Sequence, residues 1–373
     1  NAATTRILPE VIEEMNKSFE EHWGNPSSTH RQGQKSRAAI EKSRETIAKL
    51  LQVDAKEIIF TSGGAESNNL ILKGALKVNE SKGKHLITSK IEHSTVLRTC
   101  QALEKEGYEV TYIDVTERGV IDLEQLKNAI RNDTVVISVM YVNNETGVVQ
   151  PIDEIAKMIE GKGIVLHTDA VQGVGKEMIL PKKQGIHALS AAAHKFYGPK
   201  GTGFLYLDQN YMIEKEITGG SQERNRRSGT ENVHGIVGMA KALEIVYSDM
   251  EEEQAKEKEM QIYLEEALKN EICNIKINCG NSRRISSVVN ITLEDCNVQT
   301  LMVALDMEGI CVSGGSACMS GAMETSHVLK AMGASEEDLK SSIRVSIGRY
   351  NTKDEIDIFI QKLKEIVARE RAK

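Results

Sequence analysis

A chain of 373 residues with 40% hydrophobic residues is long enough for two or three domains, each with a sizeable core. Its formal net charge of −7 argues against a general nucleic-acid binder, which would carry a strong basic balance. No apolar run of about 18 residues is present, so no membrane-spanning helix is expected.

The six cysteines, Cys100, Cys273, Cys279, Cys296, Cys311 and Cys318, include no Cys-x-x-Cys pair and no histidine at zinc spacing. No metal site is expected, and scattered cysteines in a chain this long predict free thiols in a reducing compartment, the cytoplasm. The first residue is Asn1, not Met, so removal of a targeting peptide ahead of it stays an open reading.

Residues 58–207 alternate short β-rich runs with amphipathic helical stretches. The strand-like runs are "EIIFTS", "HLITS", "YEVTYID", "TVVISVMYV", "GIVLHTD" and "GTGFLYL"; residues 92–106 and 152–160 read as helices between them. This rhythm predicts an α/β domain around a mainly parallel sheet. Ligands bind at the carboxyl ends of such strands, where Ser62, Asn143, Asn144, Asp169 and Lys195 fall. Residues 231–268 read as one long, charged, solvated helix leaving that domain. Beyond it, "SSVVNITL", "SIRVSIGRY" and two or three helices predict a smaller α+β domain. The expected division is 6–250 and 251–373, with residues 1–5 packing near the second. No repeat or low-complexity tract is present.

Within "LSAAAHKFYGPKGTG", Lys195 follows three alanines and His194. Most lysines lie on solvated faces. Small apolar neighbours instead imply partial burial, which lowers a lysine pKa and suits Schiff-base chemistry. Asp169 ends a buried-type strand. It reads either as a helix cap or as the partner of a protonated pyridine nitrogen. A contact pair of the second kind is worth about 4 kcal/mol at an effective dielectric of about 20, or roughly three pKa units. "FTSGGAES" reads as strand, glycine turn and helix start, a cradle for phosphate or a plain connection. His93 is either an ordinary histidine or a flat ring stacked on a cofactor ring.

"SGGSACMSG" places Cys318 among glycines and serines. It reads either as an inert surface thiol or as a thiol that must travel. Fixing the loop over residues 313–321 would cost on the order of 10 kcal/mol at roughly 1–2 kcal/mol per residue. Gly314, Gly315 and Gly321 push toward the upper end. The expectation is a loop poorly ordered when idle.

Together these residues resemble the NifS/IscS-type cysteine desulfurases, in the class V branch of the fold-type I pyridoxal phosphate (PLP) enzymes. The resemblance runs through "NAATT", "GNPSSTH", "FTSGGAESNN", "EHSTV", "VNNETGVVQP", "HTDAVQ", "AHKFYGPKG", "RSGTENV", "SGGSAC" and "SSIRVSIGRYNT", nearly the whole chain. It implies a large PLP-binding domain, a smaller C-terminal one, and a homodimer. By resemblance Lys195 would hold PLP, Asp169 its ring nitrogen, and His93 would stack on the ring. Asn144 and Gln172 would contact the ring's phenolic oxygen. Gly64, Ala65 and His194 would hold the phosphate, with Thr230 reaching it from the partner subunit. Asn144 and Arg344 would bind the substrate, Arg344 gripping its carboxylate.

The sequence departs from the family at Ala65 and Ala192, which remove two hydroxyls from the expected phosphate cup, and at Gly314, where serine is common. The implied reaction converts L-cysteine to L-alanine. The Lys195 amine takes the α-proton, and the Cys318 thiolate takes the sulfur as a persulfide, to be passed to an iron–sulfur scaffold or a thiolation protein. Whether His93 or the substrate's own thiol manages the remaining proton stays open. An aminotransferase or selenocysteine lyase on the same fold is the first alternative. A sulfur-relay protein without catalysis is the second, opposed by the presence of Lys195, Asp169 and Arg344. The basic loop at Arg224, Arg226 and Arg227 reads as solvated or as a dimer contact in preference to an RNA-facing patch.

Overall fold

The computed structural model describes residues 1–315 and 325–372. Cys318 and Gly321 lie outside the described residues. Among the described residues ten strands form two sheets. The large sheet comprises β1 (Ile58–Thr61), β2 (His85–Ser89), β3 (Glu109–Ile113), β4 (Thr134–Ser138), β5 (Val165–Asp169), β6 (Ala188–Ala192) and β7 (Gly203–Leu207). Their spatial order is β1-β7-β6-β5-β4-β2-β3. Only β7 runs against its neighbours, β1 and β6; the rest pair in parallel. Helices cover both faces, so most strands are buried throughout, polar residues such as Thr88, Ser138 and His167 included.

Two features of the sheet differ from the sequence reading. Strand β6 was hidden in an alanine-rich stretch of weak β propensity. It is a strand because it lies between β5 and β7, where both its edges are hydrogen-bonded. The run "TVVISVMYV" leaves regular pairing after Ser138. It still follows β5, with Val139 N–H donating to the His167 carbonyl (3.1 Å) and Tyr141 N–H to the Asp169 carbonyl (2.9 Å). That continuation carries the chain past the Asp169 carbonyl before it turns at residues 143–147.

The long helix expected over residues 231–268 is two helices, Val233–Ser248 and Met250–Glu271, broken at Asp249. The first is not solvated. Val233, Ile236, Met239, Ala242 and Leu243 are buried, and the helix packs against Pro9–Glu21 and Arg31–Leu51. A Cβ at Gly238 would come within 2.7 Å of the Met15 side chain, so glycine allows that close approach. The second helix keeps the expected charged face and buries Met260, Leu264 and Leu268.

Those side chains join the core of the smaller C-terminal domain, whose antiparallel sheet has the order β10 (Ser342–Ser346), β9 (Val288–Leu293), β8 (Ile275–Asn278). The closing helix Lys353–Arg371 begins with a capping box of Thr352 and Glu355 and buries Phe359, Ile360 and Leu363. Residues 2–8 cross from one domain to the other. Ala2 N–H donates to Ser346 Oγ (3.1 Å), Thr5 N–H to the His194 carbonyl (2.9 Å), and Leu8 N–H to the Tyr197 carbonyl (3.2 Å).

Candidate active site

The parallel strands end on one edge of the sheet, and the chemically capable side chains gather there. Asp169, the last residue of β5, is buried. Its Oδ1 accepts from Val171 N–H (3.0 Å) and its Oδ2 from Asn68 Nδ2 (2.7 Å). One oxygen therefore caps a turn and not the helix of the simpler sequence reading, since no helix lies between β5 and β6. The carboxylate retains acceptor capacity, and among the described residues it has no cation within 4.0 Å.

Lys195 follows β6 in a short 3-10 turn, Ala193–Lys195. Its Nζ donates to the Ala2 and Ala3 carbonyls at 2.6 and 2.8 Å, with no carboxylate at ion-pair distance among the described residues. Burial, and then the Arg344 charge, lower its pKa to about 8; Asp169 opposes this. The small residues read in sequence as making room for this amine are buried at Ala191, Ala192 and Ala193. Gln172 is also buried and donates to the Ala2 carbonyl (2.9 Å).

The glycine turn opens the helix Gly64–Val78, where the first backbone N–H groups lack intrahelical acceptors. Gly63 has φ of 150°, a value other residues rarely adopt. A Cβ at Gly64 would lie 2.6 Å from Val171 Cγ2 and 3.9 Å from Ala192 Cβ. This turn, the segment after Asp169 and the end of β6 thus meet. His194 is half-buried with Nδ1 3.3 Å from Thr4 Oγ1, and burial followed by the Lys195 charge lowers its pKa to about 4.

His93 caps the helix Ser94–Lys105, its Nδ1 accepting from Thr95 N–H at 3.2 Å. Its pKa is lowered, first by desolvation; Asp169 pulls the other way. Arg344, on β10, is half-buried. It donates through Nη1 to the Asn144 carbonyl at 2.5 Å and has no acidic partner within 4.0 Å among the described residues. Burial lowers its pKa. The Asn144 side chain is half-buried, whereas neighbouring Asn143 is spent on structure, its Oδ1 accepting from the 145 and 146 backbone amides and from Thr146 Oγ1.

Thr230 is exposed and lies at the end of the basic loop. That loop is anchored by a buried bidentate pair, Arg44 Nη1 to Glu223 Oε2 (2.7 Å) and Nη2 to Oε1 (2.8 Å). Glu223, Arg224 and Asn225 all have positive φ, a strained conformation held by this anchor. The loop arginines are occupied within the chain: Arg224 on Glu41 (3.4 Å), Arg226 on the Lys56 carbonyl and Arg227 on Glu66 (2.8 Å).

The sequence reading missed Asn68, Thr95 and Glu145. Glu145 is buried, and its Oε2 accepts from Ser326 Oγ at 2.5 Å. Asn68 stood in "GGAESNN", one turn beyond the glycines, but nothing in that spelling ties it to Asp169 across the fold.

The residues fit PLP, the cofactor that the resemblance implies. A buried carboxylate without a cation suits a protonated ring nitrogen. An amine of lowered pKa suits an aldehyde. A glycine-opened helix start suits a phosphate. No membrane-crossing helix and no metal-holding cluster of His, Cys, Asp and Glu is found among the described residues.

Comparison with known proteins agrees with this geometry. The Aminotransferase class-V family model matches residues 1–359. The cysteine desulfurase IscS of Dictyoglomus turgidum is 44% identical over 370 residues, covering 99% of this chain and 94% of the relative. Among solved structures, a NifS-like protein superposes with a TM-score of 0.93 at 37% identity, covering 98% of each chain. A structure described as SspA in complex with cysteine gives a TM-score of 0.83 at 36% identity, covering 94% of this chain and 98% of the other. Similarity along nearly all of its length establishes that this chain belongs to the class V aminotransferases and, within them, to the NifS/IscS-type cysteine desulfurases.

Proposed function

We propose that the protein is a PLP-dependent cysteine desulfurase that converts L-cysteine to L-alanine and passes the sulfur to Cys318 as a persulfide. The observation that carries this reading is the convergence of Lys195, of pKa about 8, with buried Asp169 and an Arg344 lacking any described acidic partner. A group charged opposite to each is what the site asks for, and an amino acid bound with PLP supplies it. When bound, PLP provides an electron sink for charge developing at the substrate α-carbon.

The same reading assigns roles to the chain's own residues. Lys195 would hold the cofactor's aldehyde, and its amine, of lowered pKa, is the group assigned to take and return the α-proton. Asp169, fixed by Asn68 and Val171, holds the ring nitrogen proton. His93 would stack on the cofactor ring. Gln172 and Asn144 serve the phenolic oxygen, with Asn144 also at the substrate. Gly64, Ala65 and His194 hold the phosphate. Cys318 attacks the substrate sulfur; the carbon–sulfur bond breaks, and the electron pair left on carbon takes a proton to complete alanine. The balance is L-cysteine plus a thiol giving L-alanine plus a persulfide. The division into domains 6–250 and 251–373, a homodimer in which Thr230 serves the partner's phosphate, a cytoplasmic location and a scaffold or thiolation protein as sulfur acceptor complete the reading.

The direct test is incubation of purified protein with L-cysteine, assaying alanine and protein-bound sulfur together. One alanine per sulfur supports the reading. Amino transfer to a keto acid without alanine points to an aminotransferase and ends it.

Arg344→Lys is expected to raise KM for L-cysteine on the order of 100-fold, about 2.8 kcal/mol, because an ammonium cannot reproduce a planar two-point grip on a carboxylate. Steady-state kinetics checks this, and a KM within threefold of the parent removes Arg344 from the substrate site. Ala192→Ser is expected to slow PLP release about fivefold, the worth of one hydrogen bond of about 1 kcal/mol. Ala192 Cβ is buried at the glycine turn, so an added hydroxyl points into the cup or is left unpaired. Loss of cofactor absorbance into a trap reads the rate, and unchanged release removes Ala192 from the phosphate cup.

A further inference from the structure

A continuous chain of hydrogen bonds joins two of these groups through Asn68, which the proposed mechanism uses only to fix Asp169, and Thr95, which it does not use. Asn68 Nδ2 lies 2.7 Å from Asp169 Oδ2 and 2.9 Å from Thr95 Oγ1. Thr95 Oγ1 lies 2.9 Å from His93 Nδ1, and Thr95 N–H donates to the same nitrogen at 3.2 Å. The directions of these bonds are determined by what each group is able to do. An ionised carboxylate only accepts, so the Asn68 amide turns its NH2 toward Asp169. Both Asn68 hydrogens are then used, one on Asp169 and one on Thr95 Oγ1. The Thr95 hydroxyl, having accepted, keeps its own hydrogen for His93 Nδ1. That nitrogen faces two donors and has no room for a proton.

We infer that Asn68 and Thr95 are positioning residues that hold His93 in the neutral form protonated at Nε2, so that His93 faces the reaction as a hydrogen-bond donor and not as a base. The consequence bears on the proton that the sequence reading left unassigned. An Nε2 that already carries hydrogen does not deprotonate the substrate thiol, so the thiol loses its proton elsewhere and His93 Nε2–H donates to the sulfur or the cofactor. The helix start at Ser94 reinforces this, because its positive end disfavours an imidazolium. Asp169 and Glu145 favour the charged ring, whereas Lys195 and His327 oppose it. Asn68 is 1% exposed, so its geometry is enforced by packing. The inference rests on the proposed function only for what His93 faces.

The test uses holoenzyme labelled with 15N at histidine and two-bond 1H–15N correlation spectra without substrate. The His93 signal is identified by its loss in His93→Gln. In the parent protein Nε2 is expected to be protonated and Nδ1 bare. Thr95→Val removes one of two donors to Nδ1, so His93 should protonate at a pH about 0.7 unit higher, fivefold in the binding constant. Thr95→Ser keeps the hydroxyl and should titrate like the parent. A parent protein protonated at Nδ1, or a Thr95→Val titration equal to the parent's, overturns the inference. The spectra need no substrate, so this result stands apart from whether alanine forms.

Discussion

Lys195→Ala protein is expected to lose alanine formation from L-cysteine by at least about 10⁴-fold, the upper range for a positioned acid–base group, and to lose the visible absorbance of a covalently held cofactor. One side chain supplies both the covalent attachment and the base. The Nζ of Lys195 donates to the carbonyls of Ala2 and Ala3 and has no carboxylate at ion-pair distance among the described residues. The fold should survive. In the folded chain this amine titrates near 8, against 10.5 for a free lysine. At pH 7 it is protonated in both folded and unfolded states, so deleting the amine relieves a desolvation penalty while removing its hydrogen bonds to the Ala2 and Ala3 carbonyls. A thermal melt therefore separates lost chemistry from lost structure. Full absorbance in the variant, with alanine still produced, would place the cofactor on a different residue.

Cys318→Ala is expected to reduce protein-bound sulfur to background while leaving cofactor absorbance unchanged. The other cysteines are poor substitutes. Burial raises the pKa of Cys100 to about 12 and that of Cys279 to about 11, so neither supplies thiolate near neutral pH. Cys296 is buried and shifted the same way. Cys273 and Cys311 are exposed, and Cys311 is the sterner control because it precedes the Ser313–Arg344 bridge at the edge of the site. Mass spectrometry after a pulse of L-cysteine would show added sulfur on the parent's Cys318 peptide and none in the variant. Undiminished persulfide in Cys318→Ala, carried on Cys311, would reassign the acceptor thiol.

Sequence and structure contributed to different parts of the site. Lys195, Asp169, His93 and the glycine turn were legible because each sits at a strand end in a short stretch whose chemistry is unusual for its position. The strand β6 that delivers Lys195 was not legible: alanines carry little strand preference, and pairing on both edges decides the matter. The same limit applied to residues 231–268. Charge in the second half was read into the first, yet Val233–Ser248 is buried because two N-terminal helices far away in the chain pack on it.

By itself the amino-acid order determined the fold class and the family and named the candidate reactive groups, since these depend on residue type, local periodicity and motif spacing. Only the tertiary structure decided which groups act on one another. Asn68 reaches Asp169 across 101 positions, Arg344 reaches the Asn144 carbonyl across 200, and Lys195 is held by Ala2 across 193. The lowered lysine pKa and the bare Nδ1 of His93 are consequences of those contacts, because desolvation and hydrogen-bond direction depend on three-dimensional surroundings and not on neighbours in the chain.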